Sequence, residues 1–181
     1  TTLWARAVEL GREVLWVQTY GEAFSGPGRA VGNIRYSPGD PAQVQALTAV
    51  QGLPGGHSYD AEAGELVVGT GRFGPVSQAV IDYAVGGRNV IKGWVDYRKV
   101  EPSGKKSTPL DHVNPDHWEH AWTGELIELL TALDRLTKLE PAQAALLTDI
   151  TSGPLHTRTD LADGGAVWGT KTKPRFNSTL P

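Results

Sequence analysis

The hydrophobic pattern changes period partway along the chain, and that change limits the fold more than any single motif does. Up to residue 85, apolar residues come in short β-branched or aromatic runs, VLWVQTY (14–20), ELVVG (65–69) and VSQAVIDYAV (76–85). Runs of this kind, bounded by glycine, read as strands. Beyond Pro115 the period becomes helical. GELIELLTALDRLTKL (124–139) places Leu126, Leu129, Leu130, Leu133 and either Thr137 or Leu136 on one stripe. Strands first and helices later predict an α+β fold. We expect a small β-rich half with Gly-rich loops (1–108), a C-terminal helical module (109–155) and an extended tail (156–181).

Local signals fill in that outline. TLWARAVELGRE (2–13) has Leu3, Ala7, Val8 and Leu10 at helical spacing, with Gly11 as the stop. Residues 21–56 are rich in Gly and Pro and read as a surface excursion with one short helix at Gln43–Val50. GTGRFGP (69–75) reads as a turn, and Gly86-Gly87 breaks the run that follows. RNVIKGWVDYRK (88–99) has two readings. It can pair back as a hairpin strand, but Ile91, Trp94, Val95 and Arg98 at i, i+3, i+4 and i+7 favour a short helix. EPSGKKSTP (101–109) is a loop by composition. Thr123 is the expected N-cap of the Leu-rich helix. Pro141 then suits the first turn of a second helix burying Ala142, Ala145, Leu146 and Ile150, closed by Ser152-Gly153-Pro154.

Composition removes whole classes of function. With 39% hydrophobic and 20% charged residues, the 181-residue chain is neither disordered nor membrane-embedded in character. It has no apolar run near the ~18–20 residues of a spanning helix, and no basic-then-apolar leader at its start. Zero cysteines exclude disulfides, thiolate zinc sites and a cysteine nucleophile. Methionine is missing too, even at position 1, so we read the chain as a piece of a longer, cytoplasmic polypeptide.

Charge is unevenly placed. Between Gly86 and Lys106 stand Arg88, Lys92, Arg98, Lys99, Lys105 and Lys106 against Asp96 and Glu101. From Asp111 to Asp149 eight acids face only Arg135 and Lys138. The basic stretch is interleaved with Trp94 and Tyr97, both expected to lie mostly in the core. Cations that displace counterions are what contact with phosphates requires. A solvated helix face beside a Lys-rich loop is the blander reading of the same residues.

Other motifs carry less. GTGRFG (69–74) matches the dinucleotide pattern G-x-G-x-x-G, but Pro75 and a β-branched run follow where a phosphate-binding helix should begin. It reads as a glycine-rich turn, on which Arg72 is a further candidate phosphate contact. LDHVNPDHWEH (110–120) offers His112, His117 and His120 near Asp111, Asp116 and Glu119, yet a helix start with acids at its N-terminal end explains it as well. We assign no metal site and no catalytic residues. Neither a nucleophile elbow nor a Walker A sequence nor an H-E-x-x-H pair is present.

The ordered set of segments is more specific than any one of them. AVELG…VLWVQTYGEAF, LVVGTGRFGPV, YAVGGRNVIKGWVDYRK and the long phrase from Ser107 to Leu155 resemble the C-terminal part of bacterial Type ISP restriction–modification enzymes. The resemblance runs from about Ala7 to Leu155. Where members often have Leu-His before Thr-Tyr-Gly-Glu-Arg-Phe, this chain has Val17-Gln18 and ends Ala23-Phe24; Ile81 stands where a Trp is common. What the resemblance implies is a target-recognition module, binding duplex DNA for sequence-specific adenine methylation and for restriction of foreign DNA. It implies no catalysis by this piece alone. S-adenosylmethionine, ATP and Mg2+ are expected in the nuclease, motor and methyltransferase parts of the parent, and none in this fragment. The DNA-binding candidates Arg72, Arg88, Lys92, Arg98, Lys99, Lys105 and Lys106 come from charge, not from the family's motifs. The alternative function is a non-catalytic docking module, whose acidic helical half packs on the methyltransferase domain of the same parent or on a partner subunit.

Overall fold

The computed structural model describes residues 2–27, 29, 31–32, 34, 43–100, 116–154 and 156–168. Its sheet grows from the ELVVG run. In β3 (Glu65–Val68), Leu66 and Val68 are fully buried while Glu65 and Val67 alternate to the other face. β2 (His57–Asp60) and β4 (Gly71–Gly74) flank it antiparallel, with Leu66 opposite both Tyr59 and Phe73. β1 (Gln45–Thr48) pairs with β4, giving the order β1-β4-β3-β2.

Helices close the Leu66/Val68/Phe73 face. These are α2 (Gln78–Asp82), α3 (Val90–Asp96) and the first half of α4 (His120–Ser152). Their buried residues Val80, Ile91, Val95, Leu126, Leu130 and Leu133 join that face in one apolar cluster. At ~1.5–3 kcal/mol for each fully buried large aliphatic or aromatic side chain, the cluster is what holds sheet to helices. A smaller cluster of Trp16, Val17, Ile34 and Ala132, flanked by Leu136 and Leu139, packs α1 (Leu3–Gln18) on a second face of α4. Between α2 and α3 lies an exposed two-stranded hairpin, β5 (Ala84–Val85) and β6 (Arg88–Asn89), and α5 (Arg158–Asp163) is the last helix among the described residues. The α+β class is as expected. Among the described residues no helix is long and apolar enough to cross a membrane.

Several local expectations are corrected. Gly11 does not stop the first helix and VLWVQTY is not a strand; α1 runs through both, capped by Thr2, whose side chain accepts from the Ala5 N–H at 3.2 Å. Ala7, Leu10, Val14 and Val17 fall on one helical stripe that continues across the glycine. Residues 43–50 hold the strand β1, not a helix. GTGRFGP is mostly strand β4, with only Gly69 and Thr70 as its turn. VSQAVIDYAV is not one long strand: the Ser77 hydroxyl caps α2, and Val76 and Val80, four apart, enter the core. The segment 88–99 satisfies both of its readings, as β6 followed by α3.

In α4 the N-cap is Glu119, and Thr123 instead accepts a hydrogen bond from Trp118 Nε1 at 2.9 Å. Pro141 sits inside this single 33-residue helix and does not open a second one. An interior proline costs ~3 kcal/mol or more. Packing of α1 along both sides of it offsets that loss, through Leu136 and Leu139 before it, Leu146 after it, and Arg6–Asp149 at 2.6 Å near the far end. Of the four residues expected to be buried after Pro141, only Leu146 is. The segment read as an extended tail opens with α5, which carries a capping box between Thr157 and Asp160.

Candidate nucleic-acid interface

Gly86 and Gly87 have φ values of 58° and 77°, the pair of left-handed conformations a two-residue type I′ hairpin turn needs. The hairpin pairs Ala84 with Asn89 and Val85 with Arg88. Asn89 anchors its base twice. Its side-chain amide donates to the Ile81 carbonyl, and its Oδ1 accepts from the Lys92 N–H at 2.8 Å, capping α3. The Val90 N–H also donates to the Tyr83 carbonyl at 3.1 Å. Residues 84–88, beyond this stitching, are all exposed. α3 then buries Ile91 and Val95 and turns Lys92 outward. Trp94 packs against the core, but Tyr97 does not: it is 78% exposed, contrary to expectation.

The candidate cations do not form one patch. Arg72 lies opposite Val67, on the sheet face away from the helices, where Asp60 binds it at 2.6 Å and Glu65 binds its Nε. Strand alternation puts it on the far side of the sheet from Phe73 and hence from α3. It is on a strand and not on an exposed turn. Arg98 turns inward. Its guanidinium stacks 3.9 Å from the Trp94 ring, donates to the Trp94 carbonyl at 3.2 Å and meets Glu125 of α4 at 3.0 Å. Trp118 stands edge-on to Trp94 and Trp122, with centroids 5.9 and 5.4 Å away, completing a ring cluster that joins α3 to α4. Lys92 and Lys99 converge on Asp96, Lys99 at 3.0 Å. Arg88 remains. Among the described residues it is the one arginine or lysine with neither a carboxylate nor an aromatic ring as partner. Lys105 and Lys106 lie outside the described residues.

Two members of this surface were missed from the sequence. The Asp96 carboxyl is held below the usual range, first by its hydrogen bond from Lys92 and then by that from Lys99. Its i−4 and i+3 spacing to the two lysines is the signal that could have found the clamp. His57, on β2, faces the same charges; burial lowers its pKa, Asp96 opposes this, and Lys92 and Lys99 add to it. No sequence signal links His57 to Asp96, because they lie far apart in the chain and only the fold brings them near.

The remaining motifs are accounted for locally. In GTGRFG the glycines serve packing. A Cβ on Gly71 would stand 2.3 Å from Val50 Cγ2 and 3.0 Å from the Val50 nitrogen, so the protein itself fills the space a phosphate would need. The residues do not fit a nucleotide. His117 is bracketed by Asp116 at 2.6 Å and Glu119 at 3.4 Å, and its pKa is raised, first by the Asp116 hydrogen bond. Among the described residues no three His, Cys, Asp or Glu side chains are placed to hold a metal.

The fold is thus a small α+β body that presents a stitched, exposed hairpin beside the outward Lys92. The model of the Type ISP C-terminal specificity domain matches residues 1–129, and the chain belongs to that family. No curated protein and no solved structure matches it. The matched region takes in the sheet, the hairpin and α3, and ends within α4.

Proposed function

We propose that the chain reads duplex DNA for a restriction–modification enzyme, with the hairpin and α3 turned toward the duplex. The observation that carries this reading is the specificity-domain match over residues 1–129. The exposed Arg88 and Lys92, with Lys99 beside them, support it. The lysines supply phosphate contacts that set the register of the protein on DNA, and exposed polar groups beside them read base edges. Lys105 and Lys106 remain candidate phosphate contacts from their charge in the sequence. In this reading methylation, translocation and cleavage belong to other parts of the parent chain, which would bind S-adenosylmethionine, ATP and Mg2+ and work in the cytoplasm.

Fluorescence anisotropy with a ~25-bp duplex at several salt concentrations tests the proposal. Each neutralised phosphate contributes a slope of about −0.9 in log affinity against log salt. With Arg72 on the far face and Arg98 turned inward, five candidates remain, so the slope should be no steeper than about −4.5. Absence of binding at low salt, or a slope near zero, sinks the reading.

A second reading has its own observation. Leu10, Val14 and Leu15 of α1 and Leu146, Leu147 and Ile150 of α4 line an uncharged groove, and Leu147 is 62% exposed. Docking on the methyltransferase domain of the same parent would use this uncharged groove and not the acids of the helical half. Arg88→Glu with Lys92→Glu should abolish DNA binding and leave docking intact, whereas Leu15→Glu with Leu147→Glu should do the reverse.

A further inference from the structure

We infer that the β5–β6 hairpin is the base-reading element of this module, entering the major groove with the Arg88 guanidinium against a guanine edge. The inference rests on the DNA-reading proposal above and deepens it. Its first support is the charge inventory. Every other described arginine and lysine is committed to a carboxylate or a ring, while Arg88 has its whole guanidinium free at an exposed position. A cation shared with Asp96, as Lys92 and Lys99 are, suits loose contact with a phosphate. A free, planar, two-pronged donor suits bidentate contact with guanine O6 and N7, the commonest specific contact in the major groove.

The second support is shape. A two-stranded ribbon is the size of element the ~12 Å major groove admits. Here the ribbon tip carries Gly86 and Gly87, and an added Cβ at either would meet only open space, so the backbone itself can approach a duplex closely. Val85, paired with Arg88, is 63% exposed and offers an apolar contact of the kind that a thymine methyl makes. The third support is rigidity. Asn89 fixes the hairpin base to α2 and α3, so the register of Arg88 is set before DNA arrives.

The test begins with a preferred duplex selected from a random pool by the wild-type chain, compared with an unrelated duplex at fixed salt. Arg88→Ala should weaken the preferred duplex about 10- to 100-fold and the unrelated one no more than about threefold. Arg88→Lys should keep the salt slope yet lose the discrimination, because charge survives and the two-pronged geometry does not. Lys92→Ala should weaken both duplexes by the same few-fold factor. Equal losses on both duplexes with Arg88→Ala, or full discrimination by Arg88→Lys, overturn the hairpin's role while the DNA-reading proposal stands. Failure of the wild-type chain to bind any duplex overturns both.

Discussion

At the scale of single residues, Asp96 is a competitor for the very lysines that the proposed interface needs. It holds Lys92 and Lys99 in the free protein, and phosphates would have to displace it. Asp96→Asn is therefore expected to tighten binding to an unrelated duplex by about fivefold, the worth of ~1 kcal/mol for a charge near the surface. The same variant should lose only about 1 kcal/mol of stability, as ion pairs near the surface do. Anisotropy and thermal melts on one preparation check both directions, and unchanged or weaker DNA binding would refute the competition. His57 gives a pH prediction. Its folded pKa lies below the ordinary ~6.5, so in that window the unfolded chain binds more protons than the folded one. The stability contributed at neutral pH is lost as pH falls through about 6.5 and below. Wild type should lose more Tm between pH 7.5 and 5.5 than His57→Gln does, and parallel losses would show that His57 is not the group responsible.

At the scale of elements, two glycines separate necessity from tolerance. Gly71 is required, since any Cβ there runs into Val50, backbone as well as side chain. Gly71→Ala should cost ~1–3 kcal/mol, the usual penalty for overpacking. Gly11, inside α1, meets nothing within 4 Å of an added Cβ and has no left-handed φ. Gly11→Ala should therefore stabilise by up to ~1 kcal/mol through helix propensity alone. Urea denaturation of the two variants should move the midpoints in opposite directions. The same comparison explains why glycine misled the reading of α1 and informed that of the hairpin. Composition marks a glycine as a local weak point, but only the packing on α4 shows whether the helix continues through it.

At the scale of the whole molecule, α4 is the shared wall, with Leu126, Leu130 and Leu133 facing the sheet and Ala132 facing α1. Its second half, beyond Pro141, is held chiefly by Leu146 and the Arg6–Asp149 pair. Leu146→Ala should lower global stability by ~2–4 kcal/mol if α1 and α4 unfold with the sheet as one unit. Arg98→Ala should also destabilise, because it removes the stacking and the Glu125 pair that tie α3 to α4 while leaving Arg88 in place. In denaturant melts followed by both tryptophan fluorescence and circular dichroism, coincident transitions are expected; separate ones would show that the α1–α4 layer unfolds on its own.

The α+β class, the Leu-rich stripe of α4, the short helix at 90–96 and the family resemblance were all legible in the residues, because each depends on a local period or an ordered string. So was the exclusion of cysteine chemistry. Whether VLWVQTY is strand or helix was not, since β-branched and aromatic residues serve either state and the α4 surface decided it. Nor could charge counting locate the interface. Of the seven candidate cations, the five among the described residues are sorted by the fold: Arg72 goes to the far face of the sheet, Arg98 goes inward onto Trp94, Lys92 and Lys99 go to Asp96, and Arg88 stays free on the hairpin. A sequence records which charges a chain carries; which of them remain uncompensated depends on partners such as Glu125 and Asp60, brought into reach only by tertiary packing.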